Sequence, residues 1–249
     1  MFFSIASIDN QQVYRFMVVA TNVLMFPVLF MFLAVTAYFP VSLRQEKSFL
    51  RLLDRYFRSC ADLLSDMHRD TQHSETRFER MRKAFHIREV SSIPTKLAGW
   101  AKFLDVKVLP GTDAKHVQAL LPRLQDLAGR TRELVEVRRS IRNQRLLSAL
   151  GDEAMDWRRS LQQAFETLGS APAEIGQEDY RTRLDELIQR LETRIRDMLN
   201  QSTGEQITRE DGEDFYRLLG AYRGVSESLV GYTAAAGAID WGPWHEERF

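Results

Sequence analysis

The sequence predicts an all-α protein, with one transmembrane helix followed by a helical bundle that begins with a long stalk-like helix. Three observations carry this prediction. Residues 16–43 contain no charged side chain. Glycine and proline are sparse, at 13 and 7 of 249 residues, as is typical of long helices. After residue 43, apolar residues recur at spacings of three and four, which places them on one face of a helix. We expect a pre-membrane segment at 1–15, the transmembrane helix at 16–39 and an all-helical domain at 40–249.

The uncharged run is long enough to cross a bilayer. As a helix, its roughly 28 residues extend about 42 Å, whereas a bilayer core requires only about 20 apolar residues. A signal peptide has a shorter apolar core, of about 7–15 residues, and small residues at its cleavage site. The end of this run reads AYFPVSL and carries bulky groups instead. The pattern therefore favours a membrane helix.

The cations beside the run predict its orientation. Arg15 alone precedes it, and five cations follow it: Arg44, Lys47, Arg51, Arg55 and Arg58. Lysine and arginine are enriched on the cytoplasmic side of membrane helices, so we expect residues 40–249 in the cytoplasm. These five side chains are expected at the membrane interface. Two interpretations remain open there, contact with anionic lipids and an orientation signal alone.

Asn22 and Pro27 interrupt the apolar character of the span. A buried asparagine in lipid favours a hydrogen-bonding partner on another helix, and a proline frees a backbone carbonyl. Together they indicate one helix of a membrane bundle, although a plain anchor also tolerates such residues. Asn22 is the candidate substrate-binding residue of the span, with helix packing as its expected role.

The first helix after the membrane carries a heptad-like apolar stripe. Its members are Leu50, Leu53, Phe57, Cys60, Leu64 and Met67. Such a stripe packs against partner helices, and the absence of a glycine break predicts one stalk-like helix reaching about Phe85. Cys60 is the only cysteine, so it forms no intrachain disulfide. We interpret it as a buried packing residue rather than a reactive thiol.

Turn and capping signals divide the rest of the chain. We expect a short helix at 94–104 capped by Ser92, and a helix at 114–150. An Asp152-capped helix should run to Leu168, and another should begin at Gln177 or Asp179. A final helix is predicted at 212–236, preceded by a Thr208–Asp211 capping pattern. In that helix Gly220 and Gly224 lie four apart, as small residues do where helices pack closely.

Signatures of catalysis are missing from the sequence. It contains no glycine-rich phosphate loop, no zinc-protease helix and no paired CxxC, and its histidines are scattered. The 34 basic and 34 acidic residues cancel, so bulk charge predicts no nucleic-acid partner. We expect neither an enzyme nor a metal or cofactor.

Three segments resemble the carboxy-terminal part of the FUSC family, which includes fusaric acid resistance proteins and aromatic acid exporters. They read PVSLRQEKSFLRLLDRYFRSCADLL, DFYRLLGAYRGVSESLVGY and AIDWGPWHEERF. The last segment carries Trp241, Arg248 and Phe249, where members of that family commonly end on a tryptophan and a terminal Arg-Phe. The resemblance implies a bacterial inner-membrane efflux transporter of aromatic acids or related toxic compounds, often working with a periplasmic adaptor protein.

This chain departs from the family pattern because it shows one apolar span where a family member carries many. A single helix does not line a transport pathway. We therefore expect a transporter component that associates with further transmembrane helices or with itself. The alternative is a membrane-anchored helical scaffold or sensor, for which one span and a cytoplasmic bundle suffice.

Overall fold

The structure is a computed structural model that describes residues 23, 25–31, 45–69, 76–104, 109, 112–141, 150–175, 177–201 and 208–246. The chain divides into two compact units, Met1–Leu43 and Arg44–Phe249. The predicted all-α class is confirmed, since the regular elements of the described residues are all helices.

The described part of the first unit is a short helical stretch. Residue 23 and residues 25–31 are helical, and their apolar side chains, among them Phe30 and Met31, are exposed. Within the described ranges, no helix has both the length and the apolar character required to cross a membrane. The predicted segment 1–15, Asn22 and most of the predicted span 16–39 lie outside the described residues.

The second unit contains seven described helices. They are α1 (Gln45–Arg69), α2 (Arg77–Ala101), α3 (Ala114–Ser140), α4 (Gly151–Ser170), α5 (Gln177–Gln201), α6 (Arg209–Ala236) and the short α7 (Gly242–His245). Neighbouring helices pack in a closed circuit, from α1 to α2, α3, α6, α5, α4 and back to α1. Each long helix thereby has two flanking partners and buries its apolar face toward a shared centre.

Aromatic side chains from opposite sides of the circuit meet in this core. The ring of Phe57 in α1 lies 5.0 Å from that of Tyr232 in α6 and 5.8 Å from that of Phe165 in α4. The Trp157 indole of α4 donates a 3.0 Å hydrogen bond to the Ser226 hydroxyl of α6. These contacts join helices that lie far apart in the sequence.

The carboxy-terminal tryptophans close one end of the bundle. Trp244 in α7 is fully buried, with its ring 5.4 Å from that of Phe49 near the start of α1. Its indole nitrogen donates to the Thr112 hydroxyl at 3.1 Å. The Trp241 indole donates to the Ala236 carbonyl at 2.9 Å. The final segment is thus packed on the first helix of its own unit. Arg248 and Phe249 lie outside the described residues.

The predicted stalk-like helix is wrong, because a break divides it into two helices. α1 ends at Arg69, and α2 begins after Thr76. Thr76 and Glu79 form a complete capping box, which satisfies backbone N–H groups at the start of α2. Ion pairs Arg55–Glu89 and Arg82–Asp66 cross between the helices. The later residue of α1 in these pairs, Asp66, contacts the earlier residue of α2, Arg82. α1 and α2 therefore form an antiparallel hairpin.

The short helix expected at 94–104 is also wrong. α2 continues from Arg77 to Ala101 with Pro94 inside it, and Ser92 is an interior residue rather than a cap. A proline inside a helix removes one backbone hydrogen bond. Here Pro94 is buried beside Ile93 and Leu97 on the core side of α2, where apolar burial offsets that loss.

The other helix boundaries were predicted with mixed success. α3 ends at Ser140 rather than near Leu150, because Ile141 is already extended at φ −74° and ψ 113°. α4 has Leu150 at its N-cap without a side-chain hydrogen bond, so the predicted Asp152 cap is wrong. The Thr208–Asp211 cap is confirmed as a complete capping box.

Candidate functional site on the outer surface of α1 and α2

The apolar stripe of α1 faces the core. Leu53, Phe57, Cys60 and Leu64 are fully buried, and Leu50 is partly buried against the same core. Since 100° separates successive residues of a helix, burial of this stripe leaves the arginines between its members on the opposite side. The packing of α1 therefore decides which of its cations reach solvent.

The predicted membrane-interface cations differ in their surroundings. Arg51, Arg55 and Arg58 are exposed, Lys47 is partly buried, and Arg44 lies outside the described residues. Arg58 donates from Nε to the Asp54 carboxylate at 2.9 Å. Arg55 pairs with Glu89 of α2. Arg55 and Arg58 are thus held by partners within the bundle.

Sequence reasoning missed an exposed apolar strip on the first half of α2. Its members are Phe78, Met81 and Phe85, which are 74%, 64% and 49% exposed. Their spacings of three and four place them on one side of the helix. Single exposed apolar residues are ordinary, but three large ones on one helix side form a patch that requires an explanation.

Arginines border this apolar strip. Arg77 and Arg88 are exposed and lie within about 100° of helix arc of the three apolar residues. Neither forms an ion pair with another described residue. The Arg55 guanidinium lies 5.8 Å from the Phe85 ring centroid, which extends the surface onto α1. We name Arg55, Arg77, Phe78, Met81, Phe85 and Arg88 the outer face.

Three acidic residues in the described part of α1 and α2 have local contacts of their own. The Glu79 carboxylate accepts from the Thr76 backbone N–H at 2.8 Å in the capping box. Glu89 is nearly buried and pairs with Arg55. Asp62 of α1 lies 3.6 Å from the Nε2 atom of His86. The outer face consequently presents cations beside large apolar groups.

A sequence signal for this surface exists. Residues 77–88 read RFERMRKAFHIR, in which arginines alternate with apolar residues at helical spacing. Such a basic amphipathic pattern is typical of helices that contact membrane surfaces or partner grooves. The predicted stalk-like helix, which reaches about Phe85, covers most of this segment and does not treat it as a separate amphipathic helix.

Gly220 and Gly224 of α6 occupy different environments. A Cβ atom built on Gly224 would lie 3.2 Å from the Cδ atom of Arg130 on α3, whereas one on Gly220 would meet nothing within 4 Å among the described atoms. Farther along the same helix, Ser228 donates a hydrogen bond to the Asp126 carboxylate of α3. Gly224 therefore makes room for an arginine stem.

Cys60 is chemically protected by its position. Burial raises the pKa of its thiol to about 12, and hydrogen bonds with Tyr56 and Thr131 oppose that rise only in part. A thiol with this pKa stays protonated at neutral pH and is a poor nucleophile. Across the described ranges, no group of three or more histidine, cysteine, aspartate or glutamate residues is arranged to hold a metal ion.

No family model, curated protein or solved structure matches this chain.

Proposed function

We propose that this chain is the carboxy-terminal portion of an inner-membrane efflux transporter resembling the FUSC and aromatic acid exporter family. One observation carries the proposal. The uncharged run 16–43 stands directly before a helical bundle whose first helix buries its apolar stripe and presents cations outward. The exposed apolar side chains of the helical residues 25–31 support a segment whose surroundings are lipid or other membrane helices.

In this proposal the chain works as one part of a larger assembly. The span at 16–39 joins further transmembrane helices, from the rest of the transporter or from other copies, and Asn22 hydrogen-bonds to one of them. Residues 40–249 lie in the cytoplasm, where the bundle supports assembly or gating. The assembly exports aromatic acids or related toxic compounds, with a periplasmic adaptor protein as a further partner.

The membrane span is tested by insertion of the full chain. We expect the protein to stay with bacterial membranes after alkaline carbonate washing, and a carboxy-terminal green fluorescent protein fusion to fluoresce, as it does only when cytoplasmic. Leu29→Arg places a charge near the middle of the span, where arginine costs about 2.5–3.5 kcal/mol, and should reduce insertion. Leu29→Ala is the matched control. Complete extraction of the wild-type chain by carbonate would contradict the span.

The transport role requires a separate experiment in cells. Deleting residues 44–249 from the complete transporter should increase sensitivity to aromatic carboxylic acids and reduce efflux of a fluorescent aromatic acid. Unchanged efflux together with an unchanged oligomer size would contradict the proposal. If the full chain inserts but has no effect on efflux, the membrane-anchored scaffold or sensor becomes the better description.

A further inference from the structure

We propose that the outer face of the α1–α2 hairpin docks on the anionic headgroup surface of a bilayer, so that the hairpin lies along the membrane. The proposal rests on the proposed function for its location, since it takes the chain to be held at a membrane. The evidence for the docking itself comes from the contacts, exposure and charge of the outer face.

The apolar part of the outer face suits a membrane interface. Phe78 and Met81 are among the most exposed large apolar residues of the bundle. Interfacial helices place tryptophan, phenylalanine and leucine side chains at the boundary between headgroups and acyl chains, with arginine and lysine at the headgroup level. Phe78, Met81 and Phe85 lie on one side of α2, so all three reach such a boundary together.

The arginines of the outer face favour a partner with negative charge. Arg77 and Arg88 border the apolar strip without an ion pair to any residue in the described ranges. Arg55 is held by Glu89 on one side while its guanidinium covers the Phe85 ring. An anionic lipid surface supplies many phosphates in one plane, which matches cations distributed along a helix side.

A second copy of the chain fits this face less well. Pairing two outer faces would bring Arg77 and Arg88 of both copies into one interface, where like charges repel. The start of the hairpin also favours lipid. α1 begins at Gln45, immediately after the arginine that ends the uncharged run, so the chain itself tethers the hairpin to the proposed span. The outer face is thus kept at a high local concentration of headgroups.

A polarity-sensitive fluorophore on position 81 tests the docking directly. We would attach it to full-length protein carrying Met81→Cys and reconstituted in phosphatidylcholine vesicles with or without phosphatidylglycerol. Cys60 can remain, because its buried thiol, with a pKa of about 12, does not compete for the label. The matched control is Gln189→Cys, an exposed position on α5, which packs on α4 and α6.

We expect a blue shift of the fluorophore on residue 81 in vesicles containing phosphatidylglycerol, together with quenching by lipids spin-labelled near the headgroup. The fluorophore on residue 189 should show neither change. Arg77→Glu combined with Arg88→Glu should abolish the shift at residue 81. The same reversals at Arg181 and Arg190 of α5, both exposed, should leave it intact. Circular dichroism checks that each variant is folded.

Three results would overturn the docking. These are a fluorophore on residue 81 that remains in water, a shift that does not depend on phosphatidylglycerol, and a shift that grows with protein density alone. The last result would assign the face to a second copy.

Carbonate washing of the same vesicles separates this inference from the proposed function. Protein that resists carbonate with residue 81 in water would retain the span and refute the docking. Protein that is extracted, yet shows the shift when phosphatidylglycerol is present, would refute the span and support the docking.

Discussion

Replacing Tyr232 with phenylalanine should stabilise the bundle, although it removes a polar group from a fully buried side chain. Tyr232 is inaccessible to solvent, and its hydroxyl has no hydrogen-bond partner in the described part of the chain. Its ring lies 5.0 Å from that of Phe57 in the core. Phenylalanine preserves this ring packing, so the substitution isolates the effect of the hydroxyl.

The expected gain follows from the cost of burying an unpaired polar group. That cost is about 1–3 kcal/mol, and the small void left by the missing oxygen offsets part of the gain. We therefore expect Tyr232→Phe to raise the free energy of unfolding by about 1 kcal/mol.

Tyr56 provides a matched control in the same aromatic cluster. It is also fully buried, and its ring lies 5.2 Å from that of Phe57. Its hydroxyl, however, donates a hydrogen bond to the Leu124 carbonyl of α3 at 3.3 Å. Tyr56→Phe deletes that bond and should lower the free energy of unfolding by about 0.5–1.5 kcal/mol. The same chemical change should thus act in opposite directions at the two positions.

Urea unfolding of the full chain in detergent micelles, followed by circular dichroism at 222 nm, measures both effects. An equal loss of stability in the two variants would refute the reasoning, because it would mean that the Tyr232 hydroxyl is paired. Alkaline pH gives a second readout. Burial raises the pKa of Tyr232 above its ordinary value of 10.0. The folded state therefore keeps a proton that the unfolded state loses above about pH 10, and stability falls as pH rises. Tyr232→Phe should make that fall shallower.

Three further predictions concern other parts of the bundle. Trp244→Ala should lower the free energy of unfolding by about 3–5 kcal/mol, because it empties a fully buried site. Trp100→Ala, at a partly buried position, should lower it by less. Equal losses would contradict the end-closing role of Trp244. Gly220→Ala should raise the free energy of unfolding by up to about 1 kcal/mol, since alanine favours a helix and space is open there. Gly224→Ala should raise it by less, because the new Cβ atom would lie 3.2 Å from the Cδ atom of Arg130. Thermal unfolding of the two variants measures the difference. The Cys60 thiol should react with a maleimide at pH 7 only after denaturation, because burial raises its pKa to about 12; rapid labelling of the folded chain, measured by mass spectrometry, would disprove this.

The positions that face the core were predictable from local spacing. The stripe through Leu53, Phe57, Cys60 and Leu64 repeats at three and four residues, and all four side chains are fully buried. The cap of α6 was predictable too, because Thr208 and Asp211 have the spacing of a capping box, although the helix begins at Arg209 rather than at residue 212. Both signals are local. A helix repeats its geometry at every turn, so a few neighbouring residues are enough to reveal it.

The sequence contains a signal for the break between α1 and α2, although the predicted stalk-like helix runs through that break. Thr76 and Glu79 carry the same capping pattern as Thr208 and Asp211. The stripe itself stops at Met67, and residues 68–77 are all polar; the continuous helix was predicted because no glycine interrupts this stretch. The break also bears on the outer face. Once Phe78 belongs to a separate helix, the stripe of α1 no longer implies that Phe78 is buried.

Sequence alone sufficed for the helical class, the inward side of α1 and the Thr208 cap of α6, because each depends on residues within a turn or two of one another. It did not show that α1 folds back against α2, that α3 pairs with α6, or that Trp244 reaches Phe49. Apolar periodicity identifies a side that must be buried, but hydrophobic burial has no preferred direction and does not name the partner. Only the folded bundle shows which arginines have found carboxylates and which, like Arg77 and Arg88, remain at the surface beside exposed aromatic rings.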